Sequence, residues 1–130
     1  MQIDQEYLKG LLEAFEASDS PDTDIIRLKD LGFNCETDTL RLLEDRGLII
    51  RSDGEPGFGA IQSLDGMTHW AVMPLRLTAM GHDFLDALRN KEVWATLKTG
   101  FKDASMGTLM TVSKELFNRA LAKQLDKMFD

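Results

Sequence analysis

The hydrophobic period of this chain changes twice, and no other feature limits its fold as tightly. Ile3, Tyr7, Leu8, Leu11, Leu12 and Phe15 follow one another at helical spacing, a stripe along one face. Asp4 and Glu6 stand where the positive end of that helix dipole would be. The Ser18-Asp-Ser-Pro-Asp run is turn chemistry, with Ser20 as a cap and Pro21 at a first helical position. A short helix carrying Ile25, Ile26 and Leu28 is expected next, stopped at Gly32. Thr37 caps a third helix with Leu40, Leu42 and Leu43, and Gly47 ends it.

At Leu48 the period changes. Leu48-Ile-Ile-Arg is a short run rich in β-branched residues and predicts a strand. Residues 53–68 hold four glycines and a proline, which predicts a long loop or an irregular hairpin arm. His69-Trp-Ala-Val-Met-Pro-Leu-Arg-Leu predicts the returning strand, at an edge or broken at Pro74, because proline donates no ladder hydrogen bond. Helical spacing then resumes. Thr78 caps a helix with Met80, Phe84, Leu85 and Leu88 on one side, ending near Asn90 or Lys91. Val93, Trp94, Leu97 and Phe101 mark a shorter helix closed near Gly100. From about Thr108 to Met128 a terminal helix is expected, with Leu109, Val112, Leu116, Phe117, Ala120, Leu121, Leu125 and Phe129 stepping by threes and fours.

The expected fold is α+β and mostly helical, a winged helix-turn-helix-like core of three helices and a β-hairpin wing with additional C-terminal helices. Residues 1–90 would form the winged-helix-like domain. Residues 91–130 would be a helical extension packing on it or forming a dimer interface. A chain of 130 residues with 43% hydrophobic composition suits one globular domain with a real core. No apolar run reaches the length of a membrane span, and the opening Met1-Gln-Ile-Asp-Gln-Glu lacks a signal-peptide pattern. The expectation is a cytoplasmic protein.

Arg76-Leu-Thr-Ala-Met-Gly-His-Asp-Phe-Leu-Asp-Ala-Leu-Arg, followed by Trp94, resembles a family of small uncharacterised phage and prophage proteins grouped as a domain of unknown function. Asp4-Gln-Glu-Tyr-Leu-Lys-Gly-Leu-Leu, Leu42-Leu-Glu-Asp-Arg-Gly-Leu-Ile and Pro74-Leu-Arg-Leu share in the resemblance, which covers most of residues 4–125. It implies a bacterial or phage setting, with the cytoplasm of a bacterial host cell as the compartment, and supports the fold. It brings no activity and no catalytic residues.

Chemistry-bearing residues are few. His82 and Asp83 are neighbours, but adjacent helical positions point about 100° apart, so they make no dyad. A helix-start histidine bonded to the strand or the first helix is the preferred reading. His69 and Trp70 lie beside the arm, where packing by Trp70 is preferred over ligand contact. The single cysteine, Cys35, cannot form an internal disulfide and has no base beside it, so a small buried turn residue is preferred over a nucleophile. Cys35, His69 and His82 lack metal-ligand spacing. Gly54, Gly57 and Gly59 are followed by no phosphate-loop lysine. The reading is of a protein without catalysis, cofactor or metal.

Charge separates the two remaining functions. Residues 1–60 hold 14 acids and 6 bases, while residues 61–130 hold 8 acids and 9 bases, giving the net charge of −7. Duplex DNA is held through Lys and Arg on phosphates, and the expected reading helix carries Arg41 and Arg46 against Asp38, Glu44 and Asp45. A protein partner is therefore preferred to nucleic acid. An inhibitor or partner of a host nuclease, defence or toxin–antitoxin component is the role the phage setting suggests. The alternative is a sequence-specific DNA-binding transcriptional regulator. For either, Thr37, Arg41, Arg46 and Arg51 are the candidate contacts. Leu109, Leu116, Phe117, Leu121 and Leu125 are the candidate homodimer interface, with packing of that helix across the core as the competing use.

Overall fold

The computed structural model describes residues 3–17, 28, 37–55, 60–62, 64, 68–70 and 74–129, with backbone alone for 37–38, 60–62 and 68–70. It is mostly helical α+β. Helix α1 spans Gln5–Glu16, α2 Thr37–Asp45, α3 Ala79–Arg89, α4 Lys91–Gly100 and α5 Met106–Phe129. Between α2 and α3 lie four short strands, β1 Ile49–Arg51, β2 Ala60–Gln62, β3 Thr68–Trp70 and β4 Leu75–Leu77. They form two antiparallel pairs, β1 with β4 and β2 with β3. Ile49 lies opposite Leu77 and Arg51 opposite Leu75 in the first; Ala60 lies opposite Trp70 in the second.

The chain divides into two compact units, one of residues Met1–Lys9 and Asp83–Asp130, the other of Gly10–His82. In the second, Leu11, Leu12 and Phe15 of α1, Leu40 and Leu43 of α2, and Leu48, Ile49, Leu75 and Leu77 of the β1/β4 region are buried. Each fully buried leucine contributes roughly 1.5–3 kcal/mol relative to leaving it in water. Leu28, helical and buried, is what the structure describes of the expected short helix; its other residues, with Gly32 and Cys35, lie outside the described residues.

The second unit is tied together where α2 ends and α3 begins. Gly47 takes φ +72°, the left-handed conformation that favours glycine. The Leu48 N–H donates to the Leu43 carbonyl (2.8 Å) and the Gly47 N–H to that of Glu44 (2.9 Å), a Schellman end. Thr78 then acts twice. Its hydroxyl donates to the Gly47 carbonyl and accepts from the Gly81 N–H at 3.1 Å, capping α3. Its own N–H donates to the Leu48 carbonyl at 3.0 Å.

Between residues 53 and 80 the expectations are met in part. In the glycine-rich stretch 53–68 lie β2 and the start of β3, an antiparallel pair that agrees with the hairpin-arm alternative and not with a plain loop; Gly57 and Gly59 are outside the described residues. The expected single returning strand is two, β3 and β4, belonging to different pairs, and β4 begins directly after exposed Pro74. Met80, expected on the inner side of α3, is exposed, while Phe84, Leu85 and Leu88 are buried. The buried stripe runs through Gly81 instead, at spacings of three, one and three.

The first unit is built on α4 and α5, which pack against each other. Val93 and Leu97 of α4 and Met106, Leu109 and Ser113 of α5 are buried. Asn90 caps α4, its side-chain oxygen accepting from the N–H groups of Glu92 (3.0 Å) and Val93 (3.2 Å). The far end of α4 is capped by Gln5, whose Nε2 donates to the carbonyls of Leu97 (3.1 Å) and Phe101 (2.9 Å). Asp4 caps α1 through Tyr7 N–H at 3.0 Å.

Candidate functional site

Helix α2 buries Leu40 and Leu43, and the turn of the helix therefore leaves Arg41 exposed. Arg46 follows the last helical residue and is also exposed. The backbone places Thr37 at the start of α2; its side chain is outside the described residues. Arg51 ends β1 and is committed elsewhere. Its guanidinium lies 2.6 Å from Asp53, with 20% of the Arg51 side chain exposed. Asp53 also accepts from the Glu55 N–H at 2.9 Å, and the Gly54 N–H donates to the Arg51 carbonyl at 2.9 Å, with Gly54 at φ +80°. The Glu55 amide, and after it the Arg51 guanidinium, hold the Asp53 carboxyl below its ordinary value of 3.8. Of the four candidate contacts, Arg41 and Arg46 are exposed and Arg51 serves a turn.

Histidine 82 approaches α1, with Nδ1 3.8 Å from the Glu16 carboxylate. Asp83, its sequence neighbour, is not the group it meets. The side chains of His69 and Trp70 and the whole of Cys35 lie outside the described residues. Among the described residues no three His, Cys, Asp or Glu side chains gather as a metal site would require.

The candidate dimer residues divide along α5. Leu109 is buried, Leu116 and Phe117 are half-buried, and Leu121 and Leu125 are exposed. Beyond Ala120 every described residue of this helix is exposed, including Met128 and Phe129.

The first unit also brings together cations that the sequence reading passed over. Lys9 lies 4.5 Å and Lys98 5.6 Å from the Trp94 ring centroid, and Lys98 pairs with Glu6. Lys91, Lys123 and Lys127 line a cleft of roughly 370 Å³ with Asn90, Glu92, Ala120 and Gln124. The signal was present as lysines seven apart on α4, at 91 and 98, and four apart on α5, at 123 and 127. Residues 10–82 carry 13 acids and 6 bases, whereas residues 1–9 with 83–130 carry 9 of each, so the net charge belongs wholly to the second unit.

A mostly helical α+β protein with two short antiparallel strand pairs, and no helix among the described residues long and apolar enough to cross a membrane, is the class these features define. The chain belongs to the family described as "Hypothetical protein (DUF2513)", which matches residues 2–107. It is similar to an "Uncharacterized protein" of Haemophilus influenzae (strain ATCC 51907 / DSM 11121 / KW20 / Rd), 32% identical over 96 residues that cover 72% of this chain and 73% of that protein. No solved structure matches the chain.

Proposed function

We propose that this protein works without catalysis, in a phage or prophage setting, as an interaction module whose acidic unit docks a basic surface of another protein. The observation that carries the reading is the charge division. The unit of residues 10–82 has a net charge of −7, and Arg51, one of its few cations, is already held by Asp53. A phosphate backbone approaching that unit is repelled, whereas a lysine- or arginine-rich protein surface is drawn to it. A host nuclease, defence or toxin–antitoxin component whose basic face otherwise holds nucleic acid fits this chemistry.

The order of α2, β1, β4 and α3, with β1 and β4 antiparallel and Thr78 leading into α3, supports a winged-helix-like domain over residues 1–90 with 91–130 as its extension. That fold-level analogy, together with the exposure of Arg41 and Arg46, favours a sequence-specific DNA-binding regulator as the second reading.

Asp45→Lys with Glu55→Lys, both at exposed positions, tests the first reading. A basic partner captured from host lysate by the wild type and identified by mass spectrometry is expected to be lost from this variant. Duplex DNA at low salt tests the second. A micromolar gel shift abolished by Arg41→Glu would assign the protein to the regulator class and remove the first reading.

A further inference from the structure

The inner side of α5 changes chemistry along its length. Leu109, Ser113, Leu116 and Ala120 step by four, three and four along that side, and the next two positions of the same register are Lys123 and Lys127. These two lysines line one cleft of roughly 370 Å³ with Gln124 and with Asn90, Lys91 and Glu92 at the start of α4. None of the three lysines makes an ion pair among the described residues. Like charges around one hollow repel one another, and spreading them over open surface would lower that repulsion. The neutral groups of the lining are donors too. The side-chain oxygen of Asn90 is taken by the N–H groups of Glu92 and Val93, so its amide nitrogen remains to donate. Gln124 brings a second side-chain amide. The Lys91 N–H, another of the opening amides of α4, has no acceptor among the described residues. Glu92 is the one carboxylate of the lining, so three ammoniums against one carboxylate leave a formal charge of +2.

Size and charge define the occupant. A hollow of this volume is on the scale of a small-molecule site, whereas a protein or nucleic-acid partner needs a far broader face. A lone carboxylate pairs best with the fork of an arginine and would neutralise only one of the lysines. Several point-like ammoniums around one volume suit a compact anion with charge on several oxygens, which is a short chain of phosphates. We infer that the Lys91–Lys123–Lys127 cleft is a binding site for a small oligophosphate, free or as the phosphate chain of a nucleotide. The unit that holds it carries as many bases as acids, so no net charge of its own opposes the anion. The site owes nothing to the acidic unit invoked above, and either reading can fail without the other.

The test uses the full chain and inorganic tripolyphosphate, with ATP, an oligothymidylate and a glutamate-rich peptide as further arms. Amide NMR at physiological salt is expected to show tripolyphosphate shifting residues 90–92 and 120–127 with micromolar affinity. ATP should bind with similar strength, because the cleft holds phosphates alone. Lys123→Gln with Lys127→Gln should weaken binding at least about tenfold, and Glu92→Gln should tighten it about threefold. All three positions are exposed, and the unliganded double variant should melt no lower than the wild type, since a like-charge repulsion is removed. A lower Tm would give the lysines a packing role and overturn the inference. So would shifts confined to other residues, no shifts at millimolar tripolyphosphate, or an affinity that the lysine changes leave intact. Tighter binding of the oligothymidylate than of tripolyphosphate would replace the small ligand with a nucleic-acid backbone. Equally tight binding of the peptide would replace it with an acidic protein segment.

Discussion

A Cβ added at Gly81 would stand 2.3 Å from the Leu48 carbonyl oxygen and 3.1 Å from Leu77 Cδ2. That oxygen is backbone and already accepts the Thr78 N–H, so it cannot withdraw without breaking the link between β1 and α3. Gly81→Ala should therefore lower stability by about 3 kcal/mol, the upper end of the usual overpacking cost. Gly47 offers the contrast. Its φ of +72° strains any side chain, yet nothing lies within 4 Å of the added atom, so Gly47→Ala should cost about 1 kcal/mol. Urea denaturation of the two variants checks the difference; equal losses would refute the close-approach account of Gly81. Asp53 gives a pH prediction. Its folded pKa is lowered, so the turn it holds is favoured fully above the ordinary carboxylate value of 3.8 and loses that support as pH falls through the lowered pKa. A carboxyl NMR titration should place Asp53 below the ordinary aspartate value of 3.8.

At the scale of elements, α5 is two helices in one. Its first half is held by Leu109 and Ser113 in the core of its unit, and its second half is free of that core. Leu109→Ala should cost about 2–5 kcal/mol, whereas Leu125→Ala should stay within about 0.5 kcal/mol of wild type, measured by denaturation at low protein concentration. The helices were legible because their apolar residues repeat at a local period, and the α5 stripe alone placed its ends within two residues. The β2–β3 pair was legible only as the hairpin-arm alternative for 53–68, without its strands or register. Each strand has three residues, the window before β2 is dominated by glycine, and the pairing partner is set by backbone geometry that leaves no side-chain pattern. Met80 misled for a related reason. The residue that occupies the inner face of the first turn of α3 is Gly81, and a glycine contributes nothing to a hydrophobic count.

For the whole molecule, the sequence already showed acidity concentrated in its first part, and the two units sharpen that division to all of the net charge on one and none on the other. The cationic cleft escaped notice because Lys91 lies more than thirty residues from Lys123, and lysines that distant carry no joint signal until α4 and α5 pack together. The double role of Thr78 has a dynamic consequence. One hydroxyl holds the Gly47 carbonyl after α2 and the Gly81 amide in the first turn of α3, while the neighbouring N–H holds the Leu48 carbonyl beneath Gly81. Neither helix end can fray without releasing the other, so the amides of Leu48, Thr78 and Gly81 should exchange with deuterium at a common rate, as one opening event. Thr78→Val, which keeps the shape and removes the hydroxyl, should let the Gly81 amide exchange ahead of the Leu48 amide.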